Sequence, residues 1–166
     1  MSLVRSMLAA LVGVTLASAP LAAQKPSPFN GTWKLNLAKS KYDPASLAPK
    51  AATVVKYTVT ATEVTAVADG VDSQGRKTHS KYTAKCDGTV APWNGTLDGQ
   101  PSPDQDGVSV KCLDAQTLHI VNSLKGKPTI TLHNVVSADG KTRTVNITGT
   151  NAQGVKINHT AVYDKQ

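Results

Sequence analysis

The sequence predicts an all-β protein, an antiparallel up-and-down β-barrel of about eight to ten strands. Three observations predict it. Ser, Thr, Val and Gly dominate residues 24–166, and no long apolar stretch there recurs with the helical period. Apolar and polar side chains instead alternate in short runs, as half-buried strands require. Turn-forming residues separate those runs at near-regular spacing, and closing such a meander into a barrel removes the exposed edges of an open sheet. A two-sheet sandwich is the rival arrangement.

Gly31 to Leu37 sets Trp33, Leu35 and Leu37 on one face against Thr32, Lys34 and Asn36. Ala38 to Pro44 reads as a short helical turn or loop, and the Pro-containing run to Pro49 as an irregular crossing. Thr53 to Ala68 holds two strands with a bend near Ala61-Thr62-Glu63, and Asp69-Gly70 ends or reverses this pair. Ser73-Gln74-Gly75 turns the chain into Lys77–Cys86, where the cationic set Lys77, His79, Lys81 and Lys85 must face water. Val90 to Trp93 is a short strand, and Asn94 to Gly107, rich in Gly, Pro and Asp, reads as a mobile loop. Strands at Val108–Leu113, Thr117–Leu124, Thr129–Val136, Thr142–Thr150 and Val155–Tyr163 complete the meander. Their hairpins centre on Gly126, on Asp139-Gly140, where Asp-Gly suits a two-residue type I′ turn, and on Asn151 to Gly154.

The chain of 166 residues divides into a leader, 1–23, and one domain, 24–166. Arg5 supplies a positive start, Met7 to Leu16 an uncharged apolar core, and Ala17 to Ala23 a small-residue run, the pattern of a secretory signal peptide. That core is shorter than the roughly 20 residues a membrane-spanning helix needs, so no membrane span is expected. The expected product is a monomer, exported to the periplasm or outside the cell. Without Arg5 it keeps 17 cations and 11 carboxylates, a net charge of +6. The lysines are dispersed, without the dense basic block or aromatic-basic interleaving of a nucleic-acid surface, so no nucleic-acid partner is expected.

Phe29-Asn30-Gly31-Thr32-Trp33-Lys34-Leu35 resembles the opening strand of the calycin proteins, the lipocalins and fatty-acid-binding proteins, and Val162-Tyr163-Asp164-Lys165 is similar to their closing strand. More closely, Gly31 to Asn36, Ala38 to Pro44 and Tyr82 to Lys85 resemble a group of exported bacterial lipocalin-like proteins of unassigned function. The resemblance implies a barrel closed at one end by Trp33, packed beneath a cation of the final strand. Lys156 and Lys165 are the cations in or beside that strand, with Arg143 on the one before. Fatty-acid-binding proteins also carry a helical pair over the barrel mouth, for which residues 37–52 are too short and too Pro-rich.

No catalytic motif is present: Gly-x-Ser-x-Gly, His-Glu-x-x-His and the phosphate loop are missing, Glu63 is the sole glutamate, and the aspartates sit mostly in turns. The expectation is therefore a protein that is not an enzyme and uses no cofactor. Candidate ligand-binding residues are Trp33, Tyr57, Tyr82, Asn122, Asn134 and Arg143, polar or aromatic groups on faces otherwise apolar. Asn122 and Asn134 are expected to be near neighbours, either satisfying one another with water or orienting a ligand. Arg143 has three open readings: rim residue, closure cation or anion ligand.

Cys86 and Cys112 both share faces with apolar residues, and an oxidising compartment favours a bridge between them worth ~3 kcal/mol, two buried free thiols being the other reading. His119 falls opposite His133, and His133 opposite Asn146. His159 extends that row if the last hairpin is tight around Ala152-Gln153, whereas a bulge there turns Val155, Ile157 and His159 into the core. Surface histidines are the plain reading of the row, and a metal site its rival, lacking a third ligand. The functional expectation is a barrel that binds a small, partly apolar molecule. The alternative is an interaction module such as a protease inhibitor, working through residues 24–28 or 94–107.

Overall fold

The computed structural model describes residues 26–166, so the leader expected at residues 1–23 lies outside the described residues. Among the described residues no helix is long and apolar enough to cross a membrane. The fold is all-β and antiparallel throughout. Its strands are β1 (Gly31–Leu35), β2 (Ala51–Val59), β3 (Glu63–Val71), β4 (Lys77–Lys85), β5 (Asp87–Pro92), β6 (Asn94–Leu97), β7 (Gln100–Pro101), β8 (Gly107–Asp114), β9 (Thr117–Leu124), β10 (Lys127–Val136), β11 (Thr142–Thr150) and β12 (Lys156–Lys165).

They form one sheet in the order β5-β8-β9-β10-β11-β12-β1-β2-β3-β4-β6-β7. The sheet curls, and its ends meet covalently, because β5 pairs with β8, β6 pairs with β4, and Trp93 alone separates β5 from β6. One interrupted strand thus joins the two ends. Cys86, between β4 and β5, reinforces this seam: its N–H donates to Thr62, its carbonyl accepts from Cys112 N–H, and its sulfur is bonded to Cys112. The expected bridge is formed, with Cα atoms 4.9 Å apart across a separation of 26 residues.

The interior is the apolar face of these strands. Trp33, Val64, Val108 and Val110 are fully buried, and Phe29, Leu118, Ile120, Val136 and Ala84 lie beside them. Leu35, Val145 and Ala161 make a second, smaller cluster. The hairpins follow their residue types. Lys125 and Gly126 both have positive φ, 52° and 75°, the left-handed pair of a type I′ turn whose twist matches that of the flanking strands.

Three expectations about the connections are corrected. Residues 94–107 are not a free loop: β6 and β7 form a hairpin through Asp98 and Gly99, with φ of 48° and 80°, and β6 pairs with β4. Asp-Gly there is the type I′ turn, an assignment missed because the flanking runs are too short to show alternation. At Asp139-Gly140 only Gly140 is left-handed, and a longer loop results, in which Ser137 N–H bonds Thr142 and Gly140 N–H bonds Ser137. Asp69-Gly70 does not end its strand, since β3 continues to Val71 and the reversal is made by Asp72 to Arg76, with Asp72 Oδ1 accepting from the N–H groups of Gln74 and Arg76.

The connection from β1 to β2 has no tight turn. It carries two single 3-10 turns, Leu37–Lys39 and Ala45–Leu47, rather than a helical pair. Between them Lys41 pairs with Thr160, and Asp43 accepts from Asn158 N–H, so this strap extends along β12 before crossing to β2.

Candidate functional site

β1 and the end strands β11 and β12 converge on a buried cation. Arg143 is 2% exposed and Asn134, on the neighbouring β10, is 0% exposed. Arg143 faces inward because it shares a strand face with Val145 and Ile147, and in register it stands between Val136 on β10 and Tyr163 on β12. Its Nη1 donates to Asn134 Oδ1 at 2.8 Å and to Tyr57 Oη at 3.4 Å. Its guanidinium carbon lies 4.0 Å from the Tyr163 ring centroid, 5.0 Å from that of Tyr57 and 5.8 Å from that of Trp33. Cation–π attraction of this kind is strongest where water is excluded.

These contacts leave the charge incompletely met. Nε and Nη2 of Arg143 and Nδ2 of Asn134 are buried and have no acceptor among the described residues. None of the ion pairs among the described residues includes Arg143. A guanidinium keeps its charge at any accessible pH, and burying such a charge without a counter-charge is costly. The arrangement offers three unpartnered donor nitrogens beside an aromatic cage, the geometry that receives a carboxylate or another oxygen anion.

The remaining candidates divide. Trp33 is fully buried in the core, its Nε1 donating to the Phe29 carbonyl at 2.7 Å. Lys165 Nζ lies 5.0 Å from its ring centroid, so of the two cations near the last strand Lys165 caps the indole, while Arg143 approaches from within. Tyr57 and Tyr82 both flank Ala66 on β3 and face the interior. Burial and the neighbouring Tyr57 raise the Tyr82 phenol well above its ordinary value, against the weaker pull of Arg143. Asn122 is buried but stands apart: it pairs with Ile130 while Asn134 pairs with Leu118, so the two amides are four residues apart along the strand, roughly 13 Å, and are not neighbours.

His119 and His133 are cross-strand partners on the outer face, with Asn146 beside His133. His159 is not in their row. The last hairpin is a wide loop closed by Asn151 N–H to Val155, which turns Ile157 and His159 inward, opposite Gly149 and Ile147. No group of three His, Cys, Asp or Glu among the described residues is placed to hold a metal ion.

Tyr163, Phe29 and Trp93 complete the interior and were not singled out from sequence. Tyr163 is the aromatic face nearest Arg143, and only the β11–β12 register puts it there. Trp93 packs against the core and lies over Gly95, where any side chain would overlap its ring. A cleft of about 990 Å3 opens between residues 26–29 and the turns after β2, β8 and β10, and is lined in part by Phe29 and Leu118 of the core.

No protein-family model matches the chain, and no curated protein matches its sequence. Solved structures do. A crystal structure of zebrafish ileal bile acid-binding protein complexed with cholic acid is similar over 84% of this chain and 100% of that one, at 16% identity and a TM-score of 0.53. A redesigned β-barrel is similar over 84% of this chain and 93% of that one, at 14% identity and a TM-score of 0.45. The first likeness shows the fold alone, an antiparallel β-barrel.

Proposed function

We propose that this chain is a non-enzymatic binding protein whose barrel holds a small, partly apolar molecule with an anionic end directed at Arg143. One observation carries the reading: a buried guanidinium, fixed by Asn134 and three aromatic rings, keeps Nε and Nη2 without an acceptor among the described residues. The apolar body of the ligand would lie against Val, Leu and Ile side chains of the core, which the cleft lined by Phe29 and Leu118 borders. The bile acid-binding neighbour holds a molecule of this class, cholic acid, in a barrel of similar fold. Export is part of the proposal, supported by the leader pattern in residues 1–23 and by the Cys86–Cys112 bridge, a bond that persists in oxidising compartments.

The test is titration of the protein with cholate and with oleate, followed by intrinsic tryptophan fluorescence and by native mass spectrometry. Saturable one-to-one binding that weakens about tenfold or more in Arg143→Met is expected, since a charge-assisted contact contributes roughly 1.5–3 kcal/mol. Absence of saturable binding to both probes, or equal affinity in the variant, overturns it.

A further inference from the structure

The strap between β1 and β2 is fastened to β12 by backbone hydrogen bonds and by the imidazole of His159. His159 is 7% exposed, and its Nδ1 accepts a hydrogen bond from Asp43 N–H at 3.0 Å. A backbone N–H has no other role than donor, so Nδ1 must carry a lone pair, which fixes the ring as the neutral tautomer with its proton on Nε2. Around this bond the strap makes three backbone hydrogen bonds to β12: Lys41 N–H to Thr160, Thr160 N–H to Lys41, and Asn158 N–H to Asp43. Tyr42 packs against the imidazole in a tilted arrangement, ring centroids 5.0 Å apart and planes at 55°. Past Asp43 the strap crosses to the β3–β4 turn, where Lys50 N–H donates to Asp72. It therefore lies along the barrel end opposite Trp33.

We propose that His159 is an acid-released latch: protonation of Nδ1 sets two donors against each other at Asp43, breaks that bond and frees residues 41–50 from β12. The groups facing the ring are few. From the strap, Asp43 is the charged neighbour and Tyr42 the titratable one. Across β11 the partner is Ile147, which carries no charge. Tyr42 stays neutral, its phenol pushed up to about 12 chiefly by burial. Burial likewise holds the imidazole below its ordinary value of 6.5, with Asp43 opposing. The sign follows from that direction. A depressed histidine stabilises the fold in its neutral form, so the latch is intact above 6.5 and is lost as pH falls through the lowered value. The device operates whether or not the interior takes a ligand, so its failure and that of the binding proposal are separable.

Amide hydrogen exchange on the full chain tests it, read as protection after correction for the intrinsic rate, at about pH 7.5 and about pH 5. Protection of the Asp43 amide and of residues 41–50 is expected to drop at least about tenfold at the lower pH, while β9 and β10 stay protected. His159→Gln, which keeps an acceptor and cannot titrate, should hold the strap protected at both values. Unchanged wild-type protection of Asp43, or a drop that persists in His159→Gln, overturns the latch. The wild-type measurement decides by itself if the variant does not fold.

Discussion

Arg143 donates to Asn134 Oδ1 at 2.8 Å in the barrel interior, and neither residue has a carboxylate partner among the described residues. This amide is what orients the guanidinium, since the other nitrogen contacts are to aromatic rings and to a distant Tyr57 hydroxyl. Asn134→Leu should therefore destabilise the protein by about 3 kcal/mol, because it leaves a buried charge with less compensation. Arg143→Met combined with Asn134→Leu should cost less than the two single changes added together, by roughly 1–2 kcal/mol. Urea unfolding of the four proteins measures the coupling; additive values would mean that the pair does not interact.

The two cations near Trp33 should behave differently. Lys165 is exposed and also donates to the Pro28 carbonyl, so Lys165→Ala should change stability by less than about 1 kcal/mol. Trp33→Ala removes the largest core side chain together with its bond to Phe29, and a loss of roughly 3–5 kcal/mol is expected. Thermal and urea denaturation would show both.

The seam of the barrel depends on Cys86–Cys112. Replacing both cysteines with alanine should lower stability by about 3 kcal/mol through the freed unfolded chain, and a reducing agent should produce the same shift in the wild type. An unfolding midpoint insensitive to reductant would contradict this.

Gly95→Ala places a methyl group against the Trp93 ring on the same strand, so either the indole or β6 must move. A cost of roughly 1–3 kcal/mol is expected, with a change in tryptophan emission as the ring leaves the core. Unaltered emission and stability would show that Trp93 does not seal the interior.

Stability should also fall in alkali. Burial raises the phenols of Tyr42, Tyr82 and Tyr163, so the fold favours their neutral forms. A raised folded-state value stabilises below the ordinary value of 10 and is lost as pH rises past it, for Tyr42 until about 12. Phenolate absorbance of these three should thus develop late and coincide with unfolding, and their early, reversible titration in the folded protein would refute the burial.

Alternation made the strands legible. Trp33 and Leu35, Val108 and Val110, Leu118 and Ile120 all face inward as period-two patterning requires, and the cross-strand pair His119 and His133 follows from a hairpin centred on Gly126. The short pieces were not legible. β6 has only four residues, and its membership of the sheet comes from pairing with β4, a contact distant from any local pattern.

Sequence alone determined the antiparallel all-β meander and placed Trp33, Tyr57 and Tyr82 on the apolar faces of their strands, because side-chain direction along a strand depends on local periodicity, but it left Arg143 open between rim, closure and ligand roles. Tertiary structure decided what those side chains meet. Loop geometry set the register that turned His159 inward and brought Tyr163 over Arg143. Register is a relation between strands, and a shift of one residue exchanges every inward group for its neighbour, so no single strand's sequence contains it.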